Sequence, residues 1–228
     1  MKKLAPAKKK KKRSPRKVAA AKPVLLPLAG RHEMLVENAV RTSKIRIADR
    51  NGQASLRIIS SGGDVAPPRL VALINQFVYR STPGNKYATF FYAQLDERRR
   101  QLRYVNAGHN APYLLRAGRR STAGSEPPGI EELSTGGTVV GMFPEMEYEE
   151  ATVELCAGDV LLAFTDGVPE AHNPEDEEFG EERLQQLLRQ TAHLPANEIS
   201  ARLSDEMKGW IRDAEQYDDL TFIVMKVR

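Results

Sequence analysis

The stretch Asp159-Val160-Leu161-Leu162-Ala163-Phe164-Thr165-Asp166-Gly167 decides how the fold is read. Val160 to Ala163, and then Phe164, make a short continuous apolar run. A run of that length between turn signals predicts a buried strand. Ala157-Gly158 supplies the turn before it, and Thr165-Asp166-Gly167 stops it. Such a strand fixes the backbone, the glycine permits a tight turn, and the Asp166 oxygens face whatever lies at the end of the sheet. Oxygen ligands of this kind suit hard cations such as Mg²⁺ and Mn²⁺. Asp-Gly is also a common turn dipeptide, so a plain turn stands beside the metal reading at this point.

Outward from that strand, the 228-residue chain has room for one domain with a full core plus tails. It carries 34 Lys and Arg against 30 Asp and Glu. The excess sits at one end: residues 1–22 hold eleven Lys or Arg and no acid, leaving 23 basic against 30 acidic residues in the remainder. Residues 1–23, with five consecutive lysines from Lys8 to Lys12, are read as a disordered basic arm. The acidic body does not point to nucleic acid, and weak attachment through the arm is the only such role expected. One cysteine, Cys156, rules out a disulfide framework or a cysteine zinc site within the chain, and a reducing, cytoplasmic setting is expected. No apolar run approaches the roughly 18–20 residues of a membrane span. Val24-Leu25-Leu26-Pro27-Leu28-Ala29 is too short and too interrupted for a signal peptide.

Residues 24–65 give weak signals. Leu35, Val36, Ala39 and Val40 fit one face of a short helix, and Asn51-Gly52 suggests a hairpin between Ile45–Ala48 and Leu56–Ile59. From Pro67 the pattern sharpens. Leu70, Leu73, Ile74, Phe77 and Val78 predict an amphipathic helix to about Tyr79. Strands are expected over Tyr87–Leu95, Leu102–Val105 and Pro112–Leu115, a loop over 116–136, and a further strand from Val139 and Val140. Ala151–Leu155 and Asp159–Phe164 are expected to form a hairpin across Cys156-Ala157-Gly158. Helices follow, one from about Gly180 carrying Leu184, Leu187 and Leu188, and one from about Glu198 to Glu215. Ile199, Leu203, Met207, Trp210 and Ile211 make a core stripe on the second. Phe222–Met225 is a final strand. Antiparallel strands with helices grouped between them indicate an α+β layered fold.

Asp166 ends one central strand, and Asp218-Asp219 precedes the last. If those strands are neighbours, the carboxylates converge at one end of the sheet. Clustered carboxylates repel unless a cation lies between them, and a divalent metal there would activate water and neutralise phosphate charge.

Six ordered pieces carry a resemblance. They are Tyr87-Ala88-Thr89-Phe90-Phe91-Tyr92; Tyr104-Val105-Asn106-Ala107-Gly108-His109-Asn110; Gly158-Asp159-Val160-Leu161-Leu162; Phe164-Thr165-Asp166-Gly167-Val168-Pro169-Glu170-Ala171; Phe179-Gly180-Glu181-Glu182-Arg183-Leu184; and Asp218-Asp219-Leu220-Thr221. In order and approximate spacing, residues 66–228 resemble the stress-response and sporulation branch of the bacterial metal-dependent serine/threonine phosphatases (PPM or PP2C type). The resemblance implies a β-sandwich of antiparallel sheets flanked by helices, with two Mn²⁺ or Mg²⁺ ions at one edge. It implies that Asp166 and Asp218 are metal ligands and catalytic residues, that Asp219 binds or supports metal, and that Gly167 and His109 support the site. His109 is read as structural rather than as a general acid. The implied substrate is phosphoserine or phosphothreonine on a regulatory protein such as an anti-sigma-factor antagonist.

The chain also departs from that family. A Gly-Asp-x-x-Asp strand and a Gly-Asp-x-x-Gly turn, which supply the aspartates bridging the two metals, are not found; Gly63-Asp64 lies immediately before the Pro67 helix. That helix corresponds to the family's second, with Ile74-Asn75 in place of a Leu-Asn pair. An incomplete domain is therefore expected, through truncation, a wrong start or frameshift, or degeneration, with Asp49 or Asp64 as stand-in ligands. A catalytically impaired remnant that binds protein is the alternative to an active phosphatase. For the arm, the expected outcome of hydrogen exchange on the isolated protein is unprotected amides through about Lys22, because eleven positive charges leave little to bury.

Overall fold

A computed structural model describes residues 32–39, 65–82, 87–117, 129–216 and 218–228. The basic arm, the expected Ile45–Ala48/Leu56–Ile59 hairpin, Asp49, Asp64 and the middle of the 116–136 loop lie outside the described residues. In chain order the elements are β1 (His32–Ala39), α1 (Pro67–Ser81), β2 (Ala88–Asp96), β3 (Gln101–Ala107), β4 (Tyr113–Leu115), β5 (Ile130–Glu132), β6 (Gly136–Gly137), β7 (Ala151–Glu154), β8 (Val160–Phe164), α2 (Glu181–Thr191), α3 (Ala196–Ile211) and β9 (Phe222–Lys226).

The strands form two sheets. One runs β1-β2-β3, with β6 (parallel) and β7 (antiparallel) both paired to β3; the other runs β5-β4-β8-β9, antiparallel throughout. Side-chain alternation stacks them into four layers. Phe91 and Ala93 of β2 pack between the sheets with Leu161 and Ala163 of β8. Ala88, Phe90 and Tyr92 of β2 point the other way, onto Leu70, Val71, Ile74 and Val78 of α1. Val160, Leu162 and Phe164 of β8 pack on Leu184 and Leu188 of α2 and on Ile199, Leu203, Met207 and Ile211 of α3. All five residues of β8 are buried, which is why its sequence is continuously apolar rather than alternating. Each large side chain so buried contributes about 1.5–3 kcal/mol.

The predicted α+β sandwich, the helices at Pro67, Gly180 and Glu198, and the core stripe on α3 are present. Four local expectations are corrected. Leu35, Val36 and Ala39 lie on β1, not on a helix; all eight residues of β1 pair antiparallel with β2, and that partner outweighs a short run of helical spacing. Val139 and Val140 do not begin a strand. Val140 makes one bridge to Ala88 and the chain then turns at Gly141, whose φ is +87° and whose N–H donates to Asn75 Oδ1 at 2.7 Å. Third, Ala151–Glu154 and Val160–Phe164 are not a hairpin, because β7 pairs with β3 in one sheet and β8 with β4 and β9 in the other. The 116–136 segment likewise contributes β5 and β6. A Cβ on Gly136 would run into the Asn106 carbonyl, so only glycine lets β6 lie this close to β3.

The crossover from β7 to β8 is organised by Asp159, only 1% exposed. Its carboxylate accepts from the N–H groups of Ala117 (2.9 Å) and Cys156 (3.0 Å) and from Arg116 Nη1 (3.1 Å). Arg116 also pairs with Glu131 at 2.6 Å. Asp159→Ala would leave two amides without their acceptor and remove one of the two carboxylates that pair with Arg116. The expected loss of stability in urea unfolding is about 3–5 kcal/mol, with Asp159→Asn intermediate.

Candidate functional site

β8 ends against β9. Thr165 N–H donates to the Thr221 carbonyl at 2.9 Å, and Thr221 N–H returns to Thr165 Oγ1 at 3.1 Å. The Thr165 hydroxyl also lies 3.0 Å from the Asp219 carbonyl, to which it donates. These bonds bring the Asp166-Gly167 turn directly onto the Asp218-Asp219 segment. A Cβ on Gly167 would sit 2.7 Å from the Asp219 carbonyl oxygen and 3.4 Å from Asp218 Cβ. Glycine is thus required at 167 by the approach of the neighbouring chain. Asp166 Oδ1 accepts from Gly167 N–H at 2.8 Å, which holds the carboxylate at the tip of the turn. Asp166 and Asp218 are half-buried and Asp219 is exposed.

His109 reaches the same end of the molecule from the loop after β3. Asn106, 3% exposed, accepts from His109 N–H at 2.8 Å and donates through Nδ2 to the carbonyls of His109 (3.0 Å) and Leu133 (3.1 Å). Gly108, at φ +70°, makes the bend. The His109 ring is buried, with Nδ1 3.2 Å from Thr89 Oγ1 of β2. Burial lowers its pKa to about 4, opposed by the negative charge of Asp166 and by the Phe164 carbonyl, so the ring is neutral at ordinary pH.

The structure therefore gathers every residue predicted for the site, Asp166, Gly167, Asp218, Asp219 and His109, at one end of the β8–β9 pair. Their carboxylates suit a hard divalent cation in chemistry. In number they fall short: among the described residues no group of three or more His, Cys, Asp or Glu side chains comes together to hold a metal ion. Sequence reasoning missed Thr89, Asn106 and Thr165. For Asn106 a signal existed, an Asn three residues before His109 across a glycine, the spacing of a side-chain-to-backbone turn.

The family described as stage II sporulation protein E (SpoIIE) matches residues 38–228, beginning within β1. Protein IcfG of Synechocystis sp. is 33% identical over 141 residues, covering 61% of this chain and 20% of that protein. Phosphoserine phosphatase RsbU of Bacillus subtilis is 25% identical over 162 residues, covering 71% of this chain and 45% of that protein. The chain thus spans less than half the length of either of these relatives. Among solved structures, the fold resembles the SiaA PP2C domain of Pseudomonas aeruginosa, with a TM-score of 0.67 at 21% identity, covering 89% of this chain and 78% of that one. It also resembles the PP2C phosphatase domain of SpoIIE from Bacillus subtilis, with a TM-score of 0.65 at 18% identity, covering 87% and 55% respectively. With the family match spanning most of its length, the chain belongs to the SpoIIE family, and it has the fold of the PP2C domains it resembles.

Proposed function

We propose that this chain is a metal-dependent protein phosphatase that hydrolyses phosphoserine or phosphothreonine on a regulatory protein, such as an anti-sigma-factor antagonist, in the cytoplasm. The observation that carries this reading is the packing of the Asp166-Gly167 turn on Asp218-Asp219 at the end of β8 and β9. Two Mn²⁺ or Mg²⁺ ions held with the help of Asp166, Asp218 and Asp219 would supply an activated water and offset phosphate charge. The chain's own part is to present those carboxylates from a strand end that cannot shift. Thr165 is bonded on its backbone and on its side chain, and Gly167 admits the neighbouring segment. RsbU, by its name a phosphoserine phosphatase, supports the substrate class. No helix among the described residues is long and apolar enough to cross a membrane.

A second reading is a protein-binding module with impaired catalysis. It is favoured by the finding that, among the described residues, no group of three or more His, Cys, Asp or Glu side chains comes together to hold a metal ion. Hydrolysis of a phosphoserine protein in millimolar Mn²⁺ separates the two. Under the first reading turnover appears with metal, disappears with chelator, and falls by about 100-fold or more in Asp166→Asn. Background turnover in both proteins would overturn it in favour of the binding module.

A further inference from the structure

His109 is fixed through its backbone and through one ring nitrogen. Asn106 fixes its backbone on both sides. Thr89 on β2 meets Nδ1. Nε2 is fully buried and has no hydrogen-bond partner. The register of β8 shows which way the nearby Phe164 carbonyl turns. Thr165 N–H bonds across to Thr221 on β9, so in antiparallel alternation the preceding Phe164 carbonyl turns to the opposite side of β8. That is the side of β4, which pairs with β8 no further along than Tyr113 with Leu162. Phe164 lies beyond that pairing, next to the loop that carries His109, and its carbonyl acts on the ring.

We propose that His109 is a positioning residue whose ring spans from Thr89 on β2 to the Phe164 carbonyl at the end of β8, and so sets the angle at which β8 presents Asp166. Nδ1 accepts from the Thr89 hydroxyl, and Nε2–H faces the Phe164 carbonyl. A neutral imidazole has one donor and one acceptor nitrogen, which is the set this span uses. The ring supplies on the β4 side of Phe164 the restraint that Thr221 supplies to Thr165 on the β9 side. This role deepens the phosphatase reading and rests on it only for the importance of Asp166.

The test compares His109→Gln and His109→Leu with the parent by amide hydrogen exchange on the full chain. Gln keeps a donor, whereas Leu keeps bulk without one. Leu is expected to raise exchange at Gly167 and Val168 by about tenfold relative to Leu161 and Leu162 in mid-strand, with Gln within about threefold of the parent. Imidazole ¹⁵N spectra of the parent should show a neutral ring protonated at Nε2 between about pH 5.5 and 8. Equal exchange at Gly167 and Val168 in all three proteins, or a ring protonated at Nδ1, would overturn the proposal. If the Leu variant does not fold, the tautomer in the parent still decides. Exchange requires no turnover, so the expected pattern in an inactive chain would sink the phosphatase reading alone, and robust turnover with unchanged exchange would sink this one alone.

Discussion

The fold depends on one strand being covered on both faces. β8 lies between a second sheet and a pair of helices, and each of its faces anchors a different core cluster. Its edges are taken as well, by β4 on one side and β9 on the other. A strand so enclosed has no freedom to slip, since a shift of one residue would exchange the sets belonging to the two cores. Placement of Asp166 follows from that enclosure. The carboxylate is the second residue past the last one in the strand, so its position is inherited from packing several residues earlier. β9 is itself secured by Lys226, whose Nζ donates to the carbonyls of Ala192 and Leu194 beyond the end of α2, where cationic donors are favoured.

What could be read beforehand was whatever leaves a strong local period or a dense motif. β8 announced itself by a continuous apolar run, α1 and α3 by helical stripes, and the Asp166 and Asp218 pair by placement at strand ends. What could not be read was pairing between segments far apart in sequence. β1 carries no sequence pattern that outweighs a helical one; it is a strand because β2 provides eight partners. The β7–β8 error arose the same way. A short turn between two strand-like runs normally makes a hairpin, and nothing local reveals that Asp159 ties the turn instead to Arg116 and Ala117, more than forty residues earlier. The support around His109 was hidden for a related reason, since Asn106, Thr89 and Phe164 come from three different strands.

β8 has a carboxylate near each end, and the two are used in opposite ways. Asp159 is enclosed, with both carboxylate oxygens accepting from groups of the protein itself. Asp166 is half-exposed at the tip of a turn. Under the proposed function, architecture and chemistry are divided between the two poles of a single strand. Substitutions of the Asp166 side chain act on a half-exposed position and leave the two cores that bury β8 in place, so under the phosphatase reading selection for folding and selection for catalysis can act on that residue almost independently. Under the phosphatase reading, descendants of such a chain are free to abandon hydrolysis while keeping the sandwich. A gene family built on this plan is for that reason expected to contain silent members alongside active ones, with identical cores and different poles.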